Sequence, residues 1–455
     1  MTRPNASNGS PPLSSIDDLV RHFARGEKSR ERFKIGTEHE KMIFLRKTRL
    51  PVPYEGRQGI GMVLEAFRTK FGWEPVLEGE NLIALTRGEA SITLEPGGQL
   101  ELSGATLDSS HDTCREMGTH LRETREITEE LDLLMLNVGR NPSIPSGRMP
   151  WMPKERYRIM RNYLPTRGGM ALDMMLGTGT MQTNIDYSDE EDMDRKLRVA
   201  NRLAPFLIAL YANSPFAEGR PTGFLSTRSL VWRHTDPDRS GFIPGVLGDR
   251  FGYRDYMEYA LDVPMFFIHR DGRYLDHAGG SFRKFMTDGL EGHRATEEDW
   301  ELHLTTLFPL VRLKQYLELR MADSGPQNMV CAFAAFTRGA FYDPAALSGM
   351  ERLLREIPAA DFPSLELRAA RDGLRAEALG RPFTAWAQDI LTLAKGGLER
   401  LDATDAKGEN EAKLLAPLEE IAAGGKTLAD RLLDLWEGEW NRGIEPIFES
   451  PLTVY

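Results

Sequence analysis

Val311-Arg312-Leu313-Lys314-Gln315-Tyr316-Leu317-Glu318-Leu319-Arg320-Met321 is the stretch from which the fold of this chain is read. Val311, Leu313, Leu317, Leu319 and Met321 mark one face; Arg312, Lys314, Tyr316, Glu318 and Arg320 mark the other. Alternation with period two is the pattern of a half-buried strand. Its polar face carries ionisable groups where an ordinary solvated face carries Thr, Ser and Gln. Taken alone, Glu and Arg pairing across neighbouring strands explains such a face.

Two further acidic stretches change that balance: Gly36-Thr37-Glu38-His39-Glu40-Lys41 and Leu94-Glu95-Pro96-Gly97-Gly98-Gln99-Leu100-Glu101-Leu102-Ser103. Residues two apart on a strand share a face, so Glu38 and Glu40 present carboxylates about 7 Å apart with His39 behind them. That spacing suits ligands of neighbouring magnesium ions. In the other stretch Ile92 and Leu94 alternate with Thr93 and Glu95. The alternation resumes after Pro96-Gly97-Gly98, where Leu100 and Leu102 oppose Gln99, Glu101 and Ser103. The turn leaves the register between Glu95 and Glu101 open. Residues 181–186 add a polar face of Gln182, Asn184 and Asp186.

Helical patterns separate these strands at 108–132, 190–212 and 344–443, the last rich in Ala, Leu, Glu and Arg with Gly breaks. Strands with one polar face and helices of varied length predict an α+β fold: a mainly antiparallel sheet, covered by helices on one side, with the polar face as the site. No linker divides the chain, so 16–455 reads as one catalytic domain with a helical C-terminal part at about 344–443. Residues 1–15, rich in Asn, Ser, Pro and Gly, read as a disordered lead without the apolar core of a signal peptide.

The charge balance, Lys+Arg 57 against Asp+Glu 68, gives −11 and disfavours a nucleic-acid partner. The longest apolar stretch, 203–212, contains Pro205 and is too short to cross a bilayer, so a soluble protein without a membrane partner is expected. Two cysteines, Cys114 and Cys331, make neither a disulfide framework nor a zinc ribbon. The expected compartment is therefore a reducing cytoplasm. Gly424-Gly425-Lys426-Thr427 has Glu420 where a phosphate loop needs glycine and reads as a helix end. Gly59-Ile60-Gly61 lacks the third glycine of a dinucleotide fingerprint.

Basic and aromatic residues recur in Met152-Pro153-Lys154-Glu155-Arg156-Tyr157-Arg158 and in Gly223-Phe224-Leu225-Ser226-Thr227-Arg228-Ser229-Leu230-Val231-Trp232. Pro153 suits a helix start, after which Tyr157 and Arg161 share a face; Arg228 is expected in a loop. A site with several carboxylates and several arginines suits Mg-nucleotide bound beside an anionic co-substrate. Magnesium on Glu oxygens and Arg donors on the transferring phosphoryl remove the repulsion between triphosphate and carboxylate.

These residues resemble the plant and proteobacterial type of glutamate–cysteine ligase, a family with a glutamine synthetase-like catalytic fold. The resemblance runs from about Phe33 to Phe448. It is carried by the three acidic motifs, by Met152-Pro153-Lys154 with Arg156-Tyr157, by Ala212-Asn213-Ser214-Pro215-Phe216 and by Tyr259-Ala260-Leu261-Asp262-Val263-Pro264-Met265. It implies a curved sheet and ATP-dependent joining of the γ-carboxylate of L-glutamate to the amine of L-cysteine through γ-glutamyl phosphate. It implies Glu38, Glu40, Glu101 and Glu318 as magnesium ligands, with Glu95 and Gln182 as secondary contributors. Arg320 is implied as the phosphoryl-contacting, nucleotide-binding arginine, and with Arg228 it makes up the catalytic pair. Arg156, Arg228 and Trp232 are implied for glutamate, and Tyr259 for cysteine. The working unit is expected to be a monomer or weak homodimer.

Two departures stand out. Gly139-Arg140-Asn141-Pro142 has Arg140 where relatives commonly carry phenylalanine, and His277 stands at the first position of a plant hairpin cysteine pair. Cys114 and Cys331 match a second plant pair, yet in a reduced cytosol both are expected as buried thiols. Rival readings are a ligase with another amine acceptor, a carboxylate-metal hydrolase independent of ATP, and a non-catalytic binding relative.

Overall fold

The computed structural model describes residues 12–454. Among these, nine strands form one sheet: β1 Ile35–Leu45, β2 Glu74–Glu78, β3 Asn81–Arg87, β4 Ala90–Leu94, β5 Leu100–Ser103, β6 Leu133–Leu136, β7 Thr180–Ile185, β8 Val311–Leu313 and β9 Leu317–Asp323. Their spatial order is β8-β9-β7-β1-β5-β4-β3-β2, with β6 pairing the far end of β1. Every pairing is antiparallel.

The helices used below are α1 Ile16–Ala24, α2 Ile60–Phe71, α3 Ser110–Glu130, α4 Glu155–Tyr163, α5 Glu190–Leu210, α6 Thr227–Arg233, α7 Gln327–Tyr342, α8 Pro344–Arg355, α9 Phe362–Asp372, α10 Phe383–Leu401, α11 Ala416–Gly424 and α12 Leu428–Glu437. Helix α2 packs on β3, α3 on β6 and β1, α5 on β9, and α7 on β7 and β1. The odd positions of β1, His39, Lys41 and Ile43, are buried toward this layer. After Gly36 the even positions run through Glu38 and Glu40 to Met42 and Phe44, which the C-terminal segment covers through Leu432, Trp440 and Phe448. One pleat of a single strand therefore serves two purposes: carboxylates in its middle and apolar anchorage at its end. No helix among the described residues is long and apolar enough to cross a membrane.

Residues 311–321 are a hairpin rather than one strand. The Lys314 N–H donates to the Tyr316 carbonyl at 2.9 Å and closes a turn, after which Arg312 stands opposite Glu318. An odd-length turn preserves the two-residue parity, so the faces read from sequence hold although the chain reverses. The hairpin β4–β5 settles the open register: Thr93 faces Glu101 and Leu94 faces Leu100. Its turn is made by Gly98 at φ +86°, a conformation glycine adopts freely, and by Gln99, whose side chain accepts from the Gly97 N–H and donates to the Thr178 carbonyl, both at 2.9 Å.

Two further expectations are corrected, those for the N-terminal lead and for the cysteines. The first eleven residues of the expected lead lie outside the described residues, but Pro12 bridges Thr296 and Ser15 caps α1, so packed chain begins before residue 16. The stretch 344–443 resolves into α8 to α12, with Gly425 in the left-handed conformation ending α11. Cys114 and Cys331 are joined in a disulfide across 217 residues. Helices α3 and α7 pack against each other behind the sheet and bring the two Cα atoms to 5.4 Å, within bridging range.

Candidate active site

Four neighbouring strands deliver the acidic cluster. Glu38 lies opposite Gln182 across β1–β7, and Glu40 opposite Glu101 across β1–β5. Glu38 accepts the side-chain amides of Gln182 at 2.9 Å and Asn184 at 3.1 Å. Glu40 accepts the Thr180 N–H at 3.1 Å. Its carboxyl is pushed up to about 8 by burial and by Glu95, against the pull of Arg228 and Arg320. Glu101 is held well above the usual carboxylate range by burial and then by Glu38, Glu95 and Glu40, while the Thr93 hydroxyl donates to it at 2.7 Å. Glu101 is buried and Glu38, Glu40 and Glu95 are partly buried beside it, and four carboxylates so close form a set short of positive charge.

Glu318 behaves in the opposite way. Its side chain is 0% exposed and takes Arg312 through Nη2 at 2.7 Å and Nε at 3.0 Å, Lys314 at 3.1 Å, and Arg320. Burial pushes this carboxyl up, but the three cations outweigh it and hold the group well below the usual range. Sequence reasoning counted Glu318 among the magnesium ligands. In the structure its lone pairs are already engaged by side chains of its own hairpin. The shared face of Arg312, Lys314 and Glu318 was legible in the sequence, and the pairing it allows is the one formed.

Arg320 is turned into the cluster where the pairing of β9 with β7 shifts register between Leu319 and Ala322, an extra residue of the kind that re-aims side chains beside active sites. Its Nη1 donates to Gln182 Oε1 at 2.5 Å, and its guanidinium lies 5.7 Å from the Trp232 ring centroid. Arg228 lies on α6 rather than in a loop, because Ser226 supplies a helix cap. Its guanidinium is 5.8 Å from the same ring and donates to the Arg320 carbonyl at 2.8 Å. Burial pulls its pKa down to about 10. Arg228 Nε and Trp232 Nε1 are buried donors without an acceptor. Arg228, Trp232 and Arg320 line one pocket together with Phe308 and Pro309.

Two expected substrate residues stand apart. Arg156, on α4, lies 5.7 Å from the Phe267 ring centroid, over the hairpin Phe267–Arg270 and Arg273–Asp276, with its Nε also buried and unpartnered. Tyr259 borders a different cleft, with Phe242, Arg250 and Phe251, and its hydroxyl donates to the Arg239 carbonyl at 3.4 Å. Ser240 lines that cleft and Gly241 the Arg228 pocket, so this short strand divides the two. Arg140 is buried, ion-paired with Asp173 through Nη2, and leaves Nη1 without a partner.

The chain is 44% identical over 444 residues to a chloroplastic glutamate–cysteine ligase of Nicotiana tabacum, covering 97% of this chain and 83% of that protein. It is 43% identical over 439 residues to the chloroplastic enzyme of Arabidopsis thaliana, covering 96% and 82%. A crystal structure of the glutamate–cysteine ligase of Francisella tularensis in complex with AMP superposes with a TM-score of 0.55 at 12% identity, covering 91% of this chain and 86% of that one, a likeness of fold. The plant relatives are all chloroplastic, which overturns the expected cytoplasmic location and points to a plastid compartment for these proteins. The family model for glutamate-cysteine ligase family 2 matches residues 34–450, and the chain belongs to that family.

Proposed function

We propose that the carboxylate-lined face of this sheet carries out the reaction of the family: ATP-dependent joining of L-glutamate and L-cysteine to γ-glutamylcysteine, the first step of glutathione synthesis. The observation that carries the assignment of roles is the pair of buried, unpartnered donors on Arg228 and Trp232 at the wall of the acidic cluster. A carboxylate substrate supplies the acceptor they lack. Arg228 fixes it by fork geometry, which a lysine does not reproduce.

Glu38, Glu40, Glu95 and Glu101, with the Gln182 amide, fit a magnesium site, because their mutual repulsion in a buried setting is relieved by divalent cations. Magnesium bound there neutralises the phosphate oxygens of ATP against the incoming carboxylate. Arg320, steered by Gln182 and Glu318, is aimed at the transferring phosphoryl group. The γ-carboxylate oxygen attacks the γ-phosphorus, ADP departs, and the cysteine amine displaces phosphate from the acyl carbon.

ADP release measured with each substrate omitted in turn tests the reading. Release should require both glutamate and cysteine. Equal release with neither amino acid, or with any amine in place of cysteine, refutes it.

A further inference from the structure

The motif Ala212-Asn213-Ser214-Pro215-Phe216 contributes no side chain to the carboxylate cluster, yet it meets the site from behind. Strand β9 ends on Asp323, three residues after Arg320, and Asp323 is 1% exposed. Its Oδ2 accepts the Asn213 backbone N–H at 2.9 Å and the Ser214 hydroxyl at 2.6 Å; its Oδ1 accepts the Ser226 hydroxyl at 2.7 Å. Both serines pass this contact on to α6. Ser226 Oγ accepts the Ser229 N–H at 3.2 Å, and Ser214 Oγ accepts the backbone N–H of Arg228 at 3.1 Å. The Arg228 side chain returns to β9 through the carbonyls of Arg320 and Met321. The contacts form a closed ring from Asp323 through two hydroxyls to Arg228 and back.

The ring matters because α6 has only seven residues. A helix of two turns has little stability of its own and sits where its cap is held. The hold here is charge-assisted, since a buried carboxylate accepts all three donors. Gly139 leaves the space for it: a Cβ there would stand 2.5 Å from Asp323 Cγ, a clash with a short side chain that cannot swing aside.

We propose that Asp323 is the positioning residue for Arg228: acting through Ser214 and Ser226, it sets how α6 presents the guanidinium and thereby the affinity for the carboxylate substrate. This rests on the reading of Arg228 as a glutamate-binding residue. Asp323 itself touches no substrate.

The test uses the full chain and steady-state kinetics for Ser226→Ala, Ser226→Thr, Asp323→Asn, Arg228→Lys and the double variant Ser226→Ala/Arg228→Lys. Loss of a hydrogen bond to a charged group corresponds to about tenfold or more. Ser226→Ala and Asp323→Asn should raise KM for glutamate about that much, with kcat and KM for ATP changed less than about twofold. Threonine, which keeps the hydroxyl, should restore glutamate KM. The double variant should match Arg228→Lys alone, because both changes act through one guanidinium. Unchanged glutamate KM in Ser226→Ala, equal losses for glutamate and ATP, or fully additive losses in the double variant overturn the inference while leaving the role of Arg228 intact. Unchanged glutamate KM in Arg228→Lys removes the underlying reading instead. If Asp323→Asn fails to fold, the Ser226 variants decide.

Discussion

Glutamine at position 318 keeps the shape of the side chain but removes the one negative charge on which Arg312, Lys314 and Arg320 converge. The site is fully buried, so solvent does not make up the loss. Deleting one partner of a buried ion pair costs about 3–5 kcal/mol, because the remaining charges are left uncompensated. With an unfolding entropy of about 2 cal/mol/K per residue near the midpoint and 455 residues, each kcal/mol moves Tm by about 1 °C. Glu318→Gln should therefore melt about 3–5 °C lower at pH 7.5. Glu38→Gln should lose ligase activity as well, yet melt within about 1 °C of the wild type, since Glu38 receives neutral amides and sits among repelling carboxylates.

The pH dependence separates the cases further. The Glu318 carboxyl is depressed in the folded state, so its stabilising contribution is complete above the ordinary value of 4.5 and is lost as pH falls through the folded value. The melting gap should persist between about pH 8 and pH 5 and close below 4.5. Differential scanning fluorimetry across this range, with calorimetry at two pH values, gives the comparison. A Glu318→Gln variant that melts with the wild type at pH 7.5, or a gap that widens in acid, refutes the three-cation account.

Arg228→Lys should weaken glutamate binding by about 2–4 kcal/mol, roughly 30-fold or more, with KM for ATP near that of the wild type; steady-state kinetics decide. Gly97→Ala places a Cβ 2.3 Å from the Leu176 carbonyl oxygen and should displace the turn between Glu95 and Glu101, so near-normal turnover would contradict the packing. Replacing both Cys114 and Cys331 by serine removes a cross-link over 217 residues, worth up to about 5 kcal/mol by chain entropy. Melting temperature should fall while kcat stays within about twofold, because the bridge lies between helices behind the sheet; an unchanged Tm counts against it. His303 is buried, and desolvation lowers its pKa from 6.5 to about 4, so its contribution is present above 6.5 and lost as pH falls toward 4. Tm should decline across that window, and His303→Gln should flatten the slope.

The alternation of Glu38 and Glu40 against His39 was legible because β1 is a central, extended strand whose two faces meet different surroundings. The same alternation concealed the reversal at residues 314–316: periodicity records which face a residue occupies and says nothing of chain direction when the turn has odd length. Arg228 was expected in a loop because a seven-residue helix leaves too short a pattern to show helical period. Asp323 could not be read at all, since its meaning lies in contacts with residues about a hundred positions earlier. The cysteines were judged by redox compartment, whereas the packing of α3 against α7 determines where they sit. Tyr259 was placed by resemblance, and the short strand at Ser240–Gly241 puts it on the far side of a divide.

The order of the strands has a consequence for synthesis on the ribosome. Glu38, Glu40, Glu95 and Glu101 emerge within the first quarter of the chain, while Arg312, Lys314 and Arg320 follow some two hundred residues later and dock at the edge beyond β7. A nascent chain therefore carries the like-charged cluster in the middle of its sheet long before the hairpin that brings Glu318 with its three cations is made. Such pairing across long sequence separations also makes folding slow. The pairing of β9 with β7 forms only once residue 323 has been made, so the sheet that began with β1 is closed at this edge late in synthesis.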